Sequence, residues 1–271
     1  MIGQKTLLGR IHNLIQENKF PKFVILTGQK GSGRHELWKC IKDELGGTCL
    51  NFGTSVSDVR QSIVEANKIK GTTVICTFFD ADNMSVQAKN ALLKIVEEPP
   101  KNVYYIMTLE NISNTLPTIK SRGVEFQMQA YTPTEIGEYA KKYRFTSDEM
   151  SVVADICETP GEVETLHNDG VLAFDEYVRT VVEHIATVSG ANCFNIANRI
   201  KFKDEDNGFD LRLFLKSFMV QCSHRMQEDV FRYARAIQVT SKALQELGVT
   251  GIVKQNVFDM WILNVRAEWL D

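Results

Sequence analysis

Two short stretches of this chain carry side chains suited to phosphate chemistry. The first is Gly28-Gln29-Lys30-Gly31-Ser32-Gly33-Arg34-His35, set between an apolar run, Lys22 to Thr27, and a helical pattern from Arg34 to Leu45. A glycine-rich turn between strand and helix lets backbone N–H groups cradle phosphate at the helix N-terminus, in the pattern G-x-x-x-x-G-K-S/T. In that pattern the lysine reaches the β- and γ-oxygens and the hydroxyl holds magnesium. Here Arg34 stands at the lysine position and His35 at the hydroxyl position. Arginine keeps the charge, but its planar fork cannot replace a compact ammonium without shifting the phosphates, and imidazole is a poor ligand for oxygen-preferring magnesium. The expectation is a degenerate cradle of Gly28, Gly31, Gly33, Arg34 and His35 that binds ATP or ADP weakly or not at all and does not hydrolyse it efficiently. Lys30 would offer a substitute ammonium only from a different direction. The second stretch is Ser121-Arg122, at the end of a polar loop between two β-type runs.

The elements that must hold these residues alternate. A helix over residues 6–18 presents Leu7, Leu8, Ile11, Leu14 and Ile15 on one face. The strand before the glycine loop, the helix Arg34 to Leu45, a strand near Cys49 to Phe52, a helix Val56 to Ile69 and a strand Thr73 to Phe79 follow. Next, Ala88, Ala91, Leu92, Ile95 and Val96 recur at helical spacing, with Ser85 as N-cap and Pro99-Pro100 as the stop. The β-branched and aromatic run Val103 to Thr108 reads as a strand, and a further strand follows Arg122. Near-continuous apolar strands alternating with helices predict a parallel sheet covered on both faces, an α/β nucleotide-binding architecture.

Beyond Met128 the strand signals fade. Thr132 caps a helix with Pro133 in its first turn, and two more helical stretches end near Gly170. Helices are predicted over Tyr177 to Val188, Cys193 to Lys201, Asp210 to His224, Glu228 to Leu247 and Val253 to Trp269, with Lys203 to Gly208 as the clearest polar break. Phe258, Trp261, Ile262, Val265 and Trp269 form a stripe better read as intrachain core than as a partner surface.

Composition narrows the function classes. With 44% hydrophobic and 24% charged residues over 271 positions, the chain is ordinary globular material with room for two or three domains. No apolar run approaches bilayer length and the amphipathic start lacks a signal-peptide core, so the expectation is a cytoplasmic protein with no membrane partner. Six scattered cysteines without a CxxC pair argue against zinc and against disulfides, and five histidines lie too far apart for ligand spacing. The net charge is −3, divided as 16 Lys and Arg against 12 Asp and Glu through residue 130, and 15 against 22 thereafter.

The run Asn90-Ala91-Leu92-Leu93-Lys94, then Glu97-Glu98-Pro99-Pro100, then Leu116-Pro117-Thr118-Ile119-Lys120-Ser121-Arg122, resembles the AAA+ domain of clamp-loader subunits. The resemblance implies a RecA-like core at 1–130 with degenerate Walker motifs, a small helical lid at 131–172 and an all-α collar for oligomerisation at 173–271. It implies that Arg122, with Ser121, reaches the ATP of a neighbouring subunit in trans. Counting back from Asn90 places the two acidic Walker B positions on Phe79 and Asp80; shifted by one residue, Asp80 takes the first position and alanine the second. Either register removes one group that hydrolysis needs. In the lid, Thr159-Pro160-Gly161 is followed by Glu162 where the family carries a sensor arginine, and a carboxylate facing a triphosphate would repel it. The four-cysteine zinc module of many bacterial relatives is missing, with only Cys49 between Leu45 and Asp58. Gly123 stands where the family usually has cysteine.

Own site altered, trans-acting pair intact: this is the profile of the non-hydrolysing delta-prime type within the bacterial DNA polymerase III clamp loader. It implies no catalytic site or cofactor of its own, and partners of gamma/tau and delta type, a sliding clamp, and primer-template DNA met through the assembled complex. The alternative is a divergent gamma/tau-type ATPase that still turns over nucleotide through Arg34 and Asp80. For Arg122 the bland alternative is a surface arginine paired with Glu125 or Glu110. Glu97-Glu98 reads as a helix-terminal surface pair, and Asn111 as a loop hydrogen-bonding residue.

Overall fold

The computed structural model describes residues 2–185, 193–203, 207–249 and 251–270. They fall into two compact units, Met1–Tyr131 and Thr132–Asp271.

The first unit is a parallel sheet of β1 (Phe23–Thr27), β2 (Thr48–Phe52), β3 (Val74–Phe78), β4 (Val103–Leu109) and β5 (Val124–Gln127) in the order β2-β3-β4-β1-β5. Alternate residues face opposite layers. Phe23 and Ile25 of β1, with Val74, Cys76 and Phe78 of β3, enter one core. Val24 and Leu26, with Ile75 and Ile106, enter the other. Helices α3 (Val56–Lys68) and α4 (Val86–Glu97) cover the first layer, and α1 (Lys5–Gln16) and α2 (Arg34–Leu45) the second. Both faces of β1 and β3 are therefore buried, as their unbroken apolar runs predict. Ser85 caps α4 by accepting from the Ala88 N–H, and the helix ends at Glu97 before the two prolines.

A four-residue helix, α5 (Pro117–Lys120), leads into β5 through Ser121, Arg122 and Gly123. A Cβ on Gly123 would lie 2.6 Å from Ile25 Cδ1 and 3.0 Å from Phe23 Cε1. The close approach of this turn to β1 is why glycine follows Arg122.

The second unit holds α6 (Pro133–Ala140), α7 (Ser147–Ile156), α8 (Pro160–Asp169), α9 (Val171–His184), α10 (Leu211–His224), α11 (Val230–Glu246) and α12 (Lys254–Leu270). Thr132, Thr146 and Thr159 each close a capping box with the glutamate three residues on. The expected helix Cys193 to Lys201 is corrected: Cys193–Arg199 forms 3-10 turns, and Ile200–Lys201 (β6) pairs in parallel with Phe209–Asp210 (β7). Gly208 makes the return possible, since a Cβ there would meet the Arg199 carbonyl oxygen at 2.7 Å. The region is thus not free of strands. Residues 186–188 of the expected helix before it, and 204–206 of the polar break, lie outside the described residues.

Phe214, Phe218, Phe258 and Trp261 pack edge to face or tilted in the middle of this unit, all fully buried. The Trp261 indole N–H donates to Thr240 Oγ1 at 2.9 Å, and that hydroxyl donates to the Ala236 carbonyl at 2.7 Å. The α12 stripe is intrachain core. Cys76, Cys157 and Cys222 are free and buried, and burial pushes each thiol up to about 12. They stay far from the thiolate that metal binding or nucleophilic attack requires. Among the described residues no helix is long and apolar enough to cross a membrane, and no cluster of His, Cys, Asp and Glu could hold a metal.

Two stability measurements check this packing. Gly123→Ala should lower the urea unfolding free energy by about 1–3 kcal/mol through overpacking; an unchanged midpoint would mean that Ile25 swings aside without cost. Thr240→Val should cost about 1–3 kcal/mol by leaving the buried indole N–H without an acceptor. Combined with Trp261→Phe it should cost less than the two single changes together, and simple additivity would show the bond contributes nothing.

Candidate functional site

The glycine loop leaves the carboxyl end of β1, an interior strand, at the edge of the sheet where parallel α/β folds place ligands. Gly33 is the N-cap of α2 at φ 91°, a left-handed conformation that glycine adopts without strain. Gly31 has φ 81°. The loop is braced from the segment after β5. The Tyr131 hydroxyl donates to the Ser32 carbonyl at 2.7 Å, and Met128 packs over Gly28, where a Cβ would meet its own Cβ at 2.7 Å. Sequence reasoning did not foresee this brace, because nothing local marks residues so far along the chain as neighbours of the loop.

The altered positions meet one another. Arg34 is buried, and its Nη2 lies 3.6 Å from Asp80 Oδ1. Asp80 sits in the left-handed region at φ 49°, just past β3, with its N–H donating to Thr108 Oγ1. The His35 ring meets Phe79 edge to face with centroids 4.4 Å apart, and Trp38 meets the same phenylalanine at 5.1 Å. The Ser32 hydroxyl oxygen and Arg34 Nη1 are buried with no hydrogen-bond partner.

On β4's side of the site, the Asn111 side chain caps a 3-10 turn by accepting from the Ser113 N–H at 2.8 Å, the loop hydrogen bond its type suggests. Asp82 accepts from the Glu110 N–H and from Asn114 Nδ2. Lys89 of α4, buried among apolar neighbours, donates to the Asn114 carbonyl at 2.5 Å. Its spacing from Leu92 and Val96, three and seven residues on, is the sequence signal that it borders the buried stripe.

Arg122 is elsewhere in this unit's architecture, in the turn between α5 and β5. Its side chain is more than a third exposed; Nη1 donates to the Thr118 carbonyl at 3.0 Å and to Ser121 Oγ at 3.4 Å, and Nη2 lies 2.8 Å from Glu97 Oε1. The pairing with Glu125 or Glu110 that belongs to the surface-arginine alternative is not the one observed: Glu125 accepts from the Thr27 hydroxyl instead, and the ion-pair partner is the last residue of α4. Ser121 Oγ donates to the Thr118 carbonyl at 3.0 Å, tightening the turn.

Glu162, in the second unit, has partners of its own. Its carboxylate accepts from the N–H groups of Glu158 and Thr159 and pairs with Lys216 Nζ at 2.6 Å. It is committed to a helix cap and a buried ion pair within the second unit, not presented as a free charge.

Comparison with known proteins adds three findings. A family model described as DNA polymerase III, delta subunit, matches residues 54–132. The DNA polymerase III subunit gamma of Buchnera aphidicola (from Schizaphis graminum) is 22% identical over 191 residues, which is 57% of this chain and 53% of that protein. Replication factor C subunit 3 of Schizosaccharomyces pombe is 26% identical over 149 residues, 50% of this chain and 43% of that one. The chain thus spans about half the length of the curated relatives it matches. In fold it is similar to a DNA polymerase III gamma subunit-related protein of Thermotoga maritima, at TM-score 0.56 and 15% identity over 97% of this chain and 99% of that one. A RuvB variant of Thermotoga maritima aligns at TM-score 0.53 and 14% identity, over 97% of this chain and 87% of that one. The matched family model, the curated relatives and the sheet order make this chain similar to clamp-loader subunits over its first unit, the region that carries the motifs around Asn90 and Arg122.

Proposed function

We propose that this chain is a non-hydrolysing, delta-prime-type subunit of a DNA polymerase III clamp loader that completes the ATP site of a neighbouring gamma/tau-type subunit. Residues 131–172 act as its lid and 173–271 as the collar that joins it to the ring. Gamma/tau- and delta-type subunits are its direct partners; the sliding clamp and primer-template DNA are met through the assembled complex.

The observation that carries this reading is the contrast between Arg122 and the chain's own loop. Arg122 is surface-accessible and always charged, held on a short rigid turn. The loop, by comparison, has lost the groups that magnesium needs. His35 stands at the hydroxyl position and Phe79 at the first acidic position, and the two rings pack against each other. Asp80, the nearest carboxylate, faces Arg34. A soft aromatic pair offers no oxygen to a hard cation, so the residues present do not fit a magnesium–triphosphate complex. In the neighbour's site, a guanidinium aimed at the transferring phosphoryl group stabilises charge that develops on its oxygens in the transition state.

A second reading, a divergent gamma/tau-type ATPase, draws on the unpartnered Ser32 hydroxyl and Arg34 Nη1 at the N-terminus of α2, which would suit an anion.

In a reconstituted loader with DNA and clamp, Arg122→Ala should lower ATP turnover at one partner site by several hundredfold, within reach of the roughly 10³ to 10⁵ such fingers supply, while the ring still assembles. Unchanged turnover in an intact ring would reject the finger. Alone, the chain should hydrolyse no ATP above background, and magnesium should not tighten ADP binding in calorimetry. Turnover by the isolated chain that Arg34→Ala abolishes would favour the second reading.

A further inference from the structure

The ion pair between Arg122 and Glu97 is more than surface decoration. Both side chains are partly exposed, so the pair contributes little to folding. Its effect is geometric. An exposed arginine otherwise samples many rotamers; here Nη1 donates to the Thr118 carbonyl and to Ser121 Oγ, while Nη2 is ion-paired with Glu97, so both arms of the fork are held from its own chain. Glu97 is itself well placed to hold a direction. It is the terminal residue of α4, and Pro99-Pro100 restrict the backbone just beyond it.

The same helix also grips the base of the finger-bearing segment. Lys89, two turns before Glu97, donates to the Asn114 carbonyl, and Asn114 in turn donates to Asp82. The first grip is on the last residue of the 3-10 turn Ile112–Asn114, and α5 lies between it and Arg122, so the segment that ends in Arg122 is held to α4 at its start and at its tip.

We propose that Glu97 is a positioning residue for the trans-acting arginine: it aims the Arg122 guanidinium at the neighbouring subunit's phosphates without touching them. This rests on the reading of Arg122 as a finger, and the test separates the two. Misplacement of a catalytic group by about 1 Å can cost on the order of 100-fold in rate. In the reconstituted loader, Glu97→Ala should lower the partner-site kcat by about tenfold or more, with KM for ATP and ring assembly unchanged. Glu97→Gln, which keeps an oxygen of the same reach beside Nη2, should recover most of that loss. Glu98→Ala, the adjacent exposed carboxylate, should leave kcat unchanged. In an Arg122→Ala background, Glu97→Ala should have no further effect, because the residue acts only through the guanidinium.

If Arg122→Ala costs several hundredfold while Glu97→Ala leaves kcat unchanged or raises it, the positioning role is overturned and the finger stands. A loss from Glu97→Ala that persists in the Arg122→Ala background also overturns it, since Glu97 would then be supporting the fold. If Arg122→Ala itself has no effect, the finger reading falls and this proposal falls with it.

Discussion

Everything in the first unit depends on β1 being hydrogen-bonded on both edges and buried on both faces. It pairs with β4 on one side and β5 on the other, and its alternate side chains enter two separate cores. A strand so confined cannot shift register without moving apolar groups into the wrong layer. Its carboxyl end is therefore a fixed point, from which the glycine loop must spring. The adjacent β4, and β3 beyond it, bring Glu110-Asn111 and Phe79-Asp80 to the same edge of the sheet. The turn at Gly123 is pinned by the same strand, because the backbone passes where any side chain would strike Ile25 and Phe23. One strand thus sets the position of both the phosphate loop and Arg122.

That shared anchor helps to explain how a loop can lose its ligand chemistry and still fold. A cradle built around phosphate has inward N–H groups, a cation and a hydroxyl that need partners when no phosphate is there. In this chain the replacements interact with each other. His35 and Phe79 close on one another, Asp80 lies against Arg34, and Tyr131 reaches the Ser32 carbonyl. Each contact is modest: an edge-to-face aromatic pair contributes about 0.5–1.5 kcal/mol beyond its burial. Together they span the space from the loop to β3 and to the segment after β5, so the site is braced by protein. The bracing is incomplete at the Ser32 hydroxyl and Arg34 Nη1.

How much of this could be read from the chain varies with the range of the interaction. Local signals carried the elements: Ser85 and Thr132 are the caps their types suggest, Pro99-Pro100 ends α4, and Arg34–Leu45 is the helix that follows the loop. The parallel sheet followed from apolar runs too continuous for a one-sided strand. What was not legible depended on neighbours distant in sequence. Lys22 to Lys101, Gln4 to Gln129 and Tyr131 to Ser32 all join segments about eighty residues apart or more. Glu162 looked like a repulsive charge because its type was visible, whereas Lys216, 54 residues on, was not assignable to it. The two-residue ladder β6–β7 was missed for a related reason: Ile200-Lys201 is too short for periodicity to register, and only the close return at Gly208 makes it a strand.

The same distinction bears on the arginine. LPTIKSR marks Arg122 by its spacing, and the turn that presents it is local, built from Pro117 and closed by the Ser121 and Gly123 N–H groups on the carbonyls of Pro117 and Ile119. Its direction is only partly local: Thr118 and Ser121 hold Nη1, while the partner of Nη2 is Glu97, 25 residues earlier on another helix. Sequence alone left Glu97-Glu98 as an undifferentiated helix-terminal pair. The structure separates them: Glu97 pairs with the guanidinium, while the neighbouring Glu98 is the C-cap. A charged surface pair of this kind adds little to stability, so its presence is better explained by what it orients. An arginine that must meet a phosphate on another molecule cannot rely on that phosphate for its initial aim. The aim has to be built into the chain that carries it, and the end of a helix stopped by two prolines is a suitably rigid place to build it.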